Sequence, residues 1–283
     1  MIIFYCYNDT YIWKIKRKYK GLSMVKLLKK IVVHSISRRS VVKILDVACS
    51  SKMSRVLIKP YIRLYKVNQQ EIQHPKYYQS LKDFFVRDIS PTLRPIDQGA
   101  DVVVSPVDGT IADLGFASQD RIILAKNNTY SIAELLCNQT TGEFNGGFYL
   151  NIYLSPKNYH RIHMPFGARA IKHKYVPGKV FPVNNLGVST IKDLFVKNKR
   201  TCTIFETQAG FKFALVKVGA LGVGKIVSNY QEGEWLPKGA EIGRFEFGST
   251  VILLFQKGMF IPEETLQPNM EIKMGQRIGK FKG

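Results

Sequence analysis

The feature that most limits what this chain can fold into is a succession of short apolar runs broken by Gly, Pro and Asn, starting near Tyr78. Val102-Val103-Val104, Phe148 to Leu154, Phe213 to Val218 and Val251 to Phe255 are examples. Rich in β-branched and aromatic residues and bounded by turn formers, they read as strands. One helix interrupts them, because Ser131-Ile132-Ala133-Glu134 has capping-box spacing ahead of Leu135-Leu136. There is no internal repeat and no low-complexity linker. The expected fold is α+β and mainly β, with residues 78–283 forming a β-rich domain. A length of 283 residues is ample to bury a core.

The first quarter has a different texture. Residues 1–70 hold 16 Lys and Arg against two acids, Asp9 and Asp46, so two-thirds of the net charge of +21 lies there. Met24-Val25-Lys26-Leu27-Leu28-Lys29-Lys30-Ile31-Val32-Val33 opens a pattern of apolar residues at roughly helical spacing, which continues through Arg38, Arg39, Lys43 and Arg55 to about Lys66. No stretch reaches the 18 or so apolar residues that span a bilayer. A basic amphipathic helix rich in Leu, Ile and Val suits the interface of an anionic membrane; a solvated helix packed on its own domain is the other reading. Residues 1–77 are therefore expected to form a helical, membrane-associating region. Residues 1–23 are an extension ahead of a second candidate start at Met24, and they lack the ordered parts of a signal peptide. A nucleic-acid module would instead interleave basic residues with exposed aromatics across a strand face, so no nucleic-acid partner is expected. Cys6, Cys49, Cys137 and Cys202 are far apart with no C-x-x-C pair, and they read as free thiols in a reducing compartment.

Three short segments carry candidate chemistry. Ser105-Pro106-Val107-Asp108-Gly109-Thr110 contains an Asp-Gly step that can equally be a hairpin turn. Tyr159-His160-Arg161-Ile162-His163-Met164-Pro165 places two histidines three apart, flanked by Pro156 and Pro165. On a strand, positions i and i+3 point to opposite faces, which argues against a shared metal and for a general base. No metal site is expected, although a metallohydrolase using Asp108, His160 and His163 is the enzyme rival. The third segment, Gly248-Ser249-Thr250 entering Val251 to Phe255, is a tight turn or a place where the backbone itself reacts.

Taken in order, these segments resemble the phosphatidylserine decarboxylase family in its bacterial and mitochondrial branch. The likeness runs from about Tyr78 to Lys280. Phe84-Phe85-x-Arg87 with Arg94-Pro95-Ile96-Asp97, Val176-Pro177-Gly178 with Phe181-x-Val183-Asn184, Leu194-Phe195-x-x-Asn198-x-Arg200, and Val218-Gly219-Ala220 with Val223-Gly224 extend it. The ordered set is specific where no single piece is. Phe247 stands where the family has Leu, and Lys199 where it has Glu.

The resemblance implies a chain that cuts itself between Gly248 and Ser249, giving a β chain of residues 1–248 and an α chain of residues 249–283. Ser249 Oγ would attack the unhindered Gly248 carbonyl to give an ester; elimination and hydrolysis would then leave pyruvate in amide linkage, a pyruvoyl group made from Ser249. That ketone would form a Schiff base with the substrate amine and take up the electrons freed as CO₂ leaves, in place of a recruited cofactor. By the same resemblance His163 is the base for Ser249, Asp108 its orienting carboxylate, and His160 a proton donor in decarboxylation. Thr250 could position Ser249. The implied partners are phosphatidylserine, the anionic membrane surface and, as an open question, a second copy of the chain. The implied location is peripheral, on the cytoplasmic side of the cell membrane. A pyruvoyl decarboxylase for a soluble amino acid is the near alternative, which the basic arm argues against.

Overall fold

The computed structural model describes residues 22–72, 77–124, 128–139, 142–221, 225–246 and 248–282. The extension 1–21, Val223-Gly224 and Phe247, on which parts of the sequence reading rest, lie outside them. The helices are α1 (Leu22–Ile36), α2 (Arg39–Ser50), α3 (Ile58–Tyr65), α4 (Leu81–Phe85), α5 (Ile132–Leu135), α6 (Asn185–Thr190) and α7 (Leu194–Lys197). The strands are β1 (Val102–Val104), β2 (Gly109–Phe116), β3 (Arg121–Leu124), β4 (Asn128–Ser131), β5 (Phe148–Leu154), β6 (Arg161–His163), β7 (Ala168–Val176) and β8 (Arg200–Glu206). They continue with β9 (Lys212–Gly219), β10 (Ile226–Ser228), β11 (Trp235–Leu236), β12 (Glu241–Phe245), β13 (Ser249–Phe255), β14 (Phe260–Pro262), β15 (Glu271–Ile272) and β16 (Arg277–Phe281).

The organising element is an eight-stranded antiparallel sheet in the order β11-β7-β8-β9-β13-β5-β2-β15. Its inner strand β13 reads Ser-Thr-Val-Ile-Leu-Leu-Phe and is buried at every position. Such a run, with no polar alternation, belongs to a strand covered on both faces. The two faces are filled by different layers. Val251, Leu253 and Phe255 pack with Phe213, Leu215, Leu150 and Ile152, and with Ile162, Ile242, Phe245, Ile278 and Phe281 from the two small sheets β10-β12-β6 and β1-β16-β14. Ile252 and Leu254 point the other way, onto Ile122, Tyr130, Ile132, Leu135, Leu194 and Phe195 of the β3-β4 hairpin and helices α5 and α7. Alternate residues of one strand therefore serve two cores.

The expected strands are all present, and the helical arm is real but segmented: α1, α2 and α3 are separate helices, with a 3₁₀ turn over Lys52–Leu57. Its core crosses position 77. Cys49, Ile58, Tyr61 and Val67 pack with Tyr78, Leu81, Phe84 and Phe85 in one cluster. Helix α5 has the expected cap, with Ser131 Oγ accepting from Glu134 N at 3.3 Å. Helices α4, α6 and α7 are short pieces of four to six residues that periodicity does not reveal. Asp108-Gly109 is not a hairpin turn. Gly109 opens β2 and pairs with Ile272, and a Cβ there would lie 2.6 Å from Tyr153 O.

Because Leu253 touches only core on a strand hydrogen-bonded on both sides, Leu253→Ala should cost about 2–5 kcal/mol. Urea unfolding in a Ser249→Ala background, where the chain is expected to stay whole, measures this; a loss under about 1 kcal/mol would show that β13 is not central to the core.

Candidate active site

The three chemistry-bearing segments meet at one end of three neighbouring strands. Asp108 immediately precedes β2, His160 and His163 follow β5, and Ser249 is the first residue of β13. Since β2, β5 and β13 are consecutive antiparallel neighbours, the start of β2, the end of β5 and the start of β13 fall together. Two further links close this end. The Phe245 N–H donates to His160 O at 3.0 Å, and the His163 N–H to Pro106 O at 2.8 Å.

Ser249 is held by its backbone and free at its side chain. It pairs with Leu154 on one side and Gly219 on the other, yet its buried Oγ has no hydrogen-bond partner among the described residues. Behind it, Thr250 Oγ1 lies 2.8 Å from both Asn151 Oδ1 and Ile152 O. Thr250 thus pins the strand to β5 and leaves the neighbouring hydroxyl uncommitted. Ahead of it, a Cβ on Gly248 would meet nothing within 4 Å. An unpaired buried hydroxyl is costly, and its place beside an uncrowded carbonyl fits a nucleophile better than a structural serine.

The two histidines differ sharply: His160 immediately precedes β6, whereas His163 is its last residue. His160 is fully buried and packs on the Phe85 ring with centroids 4.0 Å apart. Its Nδ1 lies 2.8 Å from Asn158 O. A carbonyl only accepts, so Nδ1 carries the proton and Nε2 presents a bare lone pair, which has no partner. Burial, and then the nearby Arg87 guanidinium, push its pKa down to about 3. His163 has both nitrogens engaged. Nδ1 donates to Gly239 O at 2.9 Å, and Nε2 accepts from the Tyr159 hydroxyl at 3.0 Å. Burial lowers its pKa as well.

Asp108 is committed elsewhere. It receives two hydrogen bonds from Arg94, through Nε at 2.8 Å and through Nη2, and a third from Met274 N at 2.9 Å. The same Arg94 Nη2 reaches Glu71 Oε1 at 2.7 Å. Asp108, His163 and Ser249 are therefore at one end of the sheet but are not hydrogen-bonded to one another. The relay that the resemblance implies is not hydrogen-bonded together in this structure, because Arg94 holds the carboxylate and Tyr159 holds the imidazole.

Sequence reasoning passed over Arg87, quoting it only as part of a motif. It is almost wholly buried, donates through Nη2 to Lys157 O at 2.9 Å, and leaves Nε and Nη1 without partners. It also missed Arg94 as the partner of Asp108. The signal available was the placing of each arginine directly against apolar residues, Arg87 after Phe84-Phe85-Val86 and Arg94 between Leu93 and Pro95, since a buried arginine needs a reason.

Comparison with known proteins decides the family. The family model described as phosphatidylserine decarboxylase matches residues 81–280. The chain belongs to that family. Among its relatives, the phosphatidylserine decarboxylase proenzyme of Anoxybacillus flavithermus is 41% identical over 258 residues, covering 90% of this chain and 97% of that protein. Those of Myxococcus xanthus and Brevibacillus brevis are 39% and 35% identical, covering 78% and 89% of this chain and 85% and 97% of their own lengths. The matched span takes in the ends of all three strands described above.

The lowered pKa values of the buried histidines predict a loss of stability in acid. Unfolded, His160 takes up a proton as pH falls through about 6.5, whereas folded it resists until about 3. Between those values the unfolded state binds more protons, so stability rises with pH and is lost on acidification. His163 and His173, both lowered by burial, add in the same direction. Urea midpoints of the Ser249→Ala chain should fall steadily from pH 7 to pH 4, and His160→Asn should flatten that slope. An unchanged slope would refute the assignment.

Proposed function

We propose that this chain is a phosphatidylserine decarboxylase made as a proenzyme, which cuts itself at Gly248–Ser249 and carries the resulting pyruvoyl group at position 249. The observation that carries this reading is the unpartnered, buried Ser249 Oγ, locked at the first rung of β13 beside the unobstructed Gly248. Attack of that hydroxyl on the Gly248 carbonyl moves the chain from amide to ester, and elimination at the Ser249 Cα–H then breaks the ester. A ketone at this position supplies an electron sink for the bond to the departing carboxyl group. The site fits such a group: it is buried, anchored by backbone on both sides, and holds polar atoms that lack partners among the described residues.

The family resemblance supports His163 as the base for Ser249, with Asp108 as its orienting carboxylate, and His160 as the proton donor to the product carbon. For His163 to act, its Nε2 must exchange the Tyr159 hydroxyl for Ser249 Oγ. A second reading has a specific observation in its favour. Among the described residues His160 Nε2 and Ser249 Oγ are both buried and unpartnered, so His160 is the imidazole with an open acceptor nitrogen in the uncut chain, while burial keeps it a weak base. In either case the base must be neutral, and burial ensures this at pH 7.

Arg87 completes the proposed site. Its two open N–H directions lie in a buried cation beside His160, suited to the carboxylate or phosphate of an aminophospholipid head group. Access from a membrane is supported by the arm. Leu27, Leu28, Ile31, Ile44, Val47, Met53 and Val56 are half or more exposed, interspersed with Lys26, Lys29, Lys30 and Lys43. Among the described residues no helix is long and apolar enough to cross a membrane. Such a surface fits peripheral attachment to anionic lipid on the cytoplasmic side.

Intact mass of the purified protein should give two pieces, residues 1–248 and a 35-residue remainder blocked at its first residue by a ketone. Ser249→Ala should remain one chain and release no CO₂. His163→Ala should stay uncut, while His160→Ala should be cut and inactive. The reverse pattern would establish His160 as the base, and a fully active single chain would end the proposal.

Arg87→Gln should be cut normally and lose about 10- to 100-fold in kcat/KM for phosphatidylserine, the loss of one or two charge-assisted hydrogen bonds. Steady-state kinetics on mixed vesicles with a cleavage assay in parallel separates this from a folding defect. Unchanged kinetics would remove Arg87 from the site.

A further inference from the structure

Away from the strand ends, two cysteines that are 65 residues apart in the chain come together across the α5 layer. Cys137 Sγ lies 3.8 Å from Cys202 Sγ. Cys202 is a fully buried residue of β8, whereas Cys137 follows α5, is only half-buried and has a φ of 57°. Arg200, also on β8, reaches over the pair, with Nη2 at 3.2 Å from Cys137 Sγ. The other acceptors of Arg200 are backbone carbonyls: Leu135 O at 3.0 Å, Glu134 O at 2.8 Å, Val196 O and Asn198 O. None of these carries a net charge, so the Cys137 sulfur is the partner able to become an anion. Lys174 adds positive charge nearby.

This arrangement has the parts of a reactive thiol site. A thiolate, not a thiol, reacts, and a neighbouring cation stabilises it. The hydrogen-bonded Cys202, and then Arg200, lower the Cys137 pKa against the opposing effect of burial. Cys202 is shifted the other way, by its hydrogen-bonded neighbour and by burial, and stays a thiol. One sulfur is thus ionisable and reachable, and the second is protonated, buried and in contact with the first. Cys49 has no such setting, since burial raises its pKa.

We propose that Cys137 and Cys202 form a peroxide-responsive thiol pair, in which Cys137 is the reactive sulfur and Cys202 resolves it as a disulfide. The Cys137 thiolate attacks one oxygen of hydrogen peroxide and breaks the O–O bond. Its sulfur is oxidised by two electrons to sulfenic acid, and the hydroxide released is protonated to water. The Cys202 sulfur then displaces the sulfenic hydroxyl, which leaves as a second water carrying the Cys202 proton. Two thiols and one peroxide yield one disulfide and two waters, and a dithiol reductant returns both thiols. The product ties the end of α5 to β8.

The test uses the purified full-length protein and hydrogen peroxide at a few equivalents, followed by alkylation and peptide mass spectrometry without reduction. The expected result is a Cys137–Cys202 cross-link two hydrogens lighter than the dithiol and reversed by dithiothreitol, with Cys49 still alkylated. The rate of Cys137 alkylation against pH in the untreated protein should reach half its maximum well below the ordinary cysteine value of about 8.5. Arg200→Gln should slow alkylation at pH 7 about tenfold. Should that variant fail to fold, the wild-type pH profile stands alone. Cys202→Ser should accumulate sulfenic acid at Cys137, trapped by dimedone. Absence of the cross-link, an alkylation midpoint near 8.5, or no trapped adduct in Cys202→Ser would each overturn the proposal.

Discussion

The hydrogen-bond register of β13 between β9 and β5 is the constraint on which the rest of the molecule turns. Ser249 is the first rung of both ladders, facing Gly219 and Leu154. The strand cannot slip by one residue, because a slip would exchange the side chains of its two cores. Val251, Leu253 and Phe255 would then face the helices, and Thr250 would lose Asn151. The position of the Ser249 hydroxyl is thereby fixed by the six buried residues that follow it in the strand. Precision at the site is a property of the sheet.

The same economy governs the charges. Arg94, Asp108, Glu71 and Arg87 lie near one another in a largely dry region. Arg94 pairs with both carboxylates, while Arg87 pairs with neither and keeps Nε and Nη1 unpartnered among the described residues. Isolated buried charges are expensive, and a paired cluster is tolerated where geometry is good. Met274 N completes Asp108 from the C-terminal part of the chain, so the carboxylate also fastens the segment after β15 to the start of β2.

How much of this was legible in the sequence varies with how local each cause is. The strands Phe148–Leu154 and Val251–Phe255 were readable because their apolar runs depend only on burial, and Ser131 because a cap is a three-residue matter. The Gly248-Ser249 step and the two histidines were legible through the ordered motifs. What could not be read was partnership across the chain. Nothing near Asp108 announces Arg94, and nothing near Cys137 announces Cys202, because these contacts are set by sheet order. Asp108-Gly109 looked like a turn since the pair is locally permissive, but the close approach of β5 gives the glycine its reason. The short helices α4, α6 and α7 escaped because four to six residues carry no usable period.

The route of the last 34 described residues has a consequence for the molecule that the proposed cut would produce. They supply β13 at the centre of the large sheet, β15 at its edge, and β14 and β16 of a separate sheet. A fragment threaded through two sheets cannot depart while the remainder stays folded. Before the cut, losing the fold is a unimolecular event that the chain can reverse by itself. Afterwards, two separate polymers would have to find each other again at the dilution of the solution, and the missing tether turns an intramolecular search into a bimolecular one. The proposed cut would therefore convert a refoldable polypeptide into an assembly whose lifetime is set by its first complete opening.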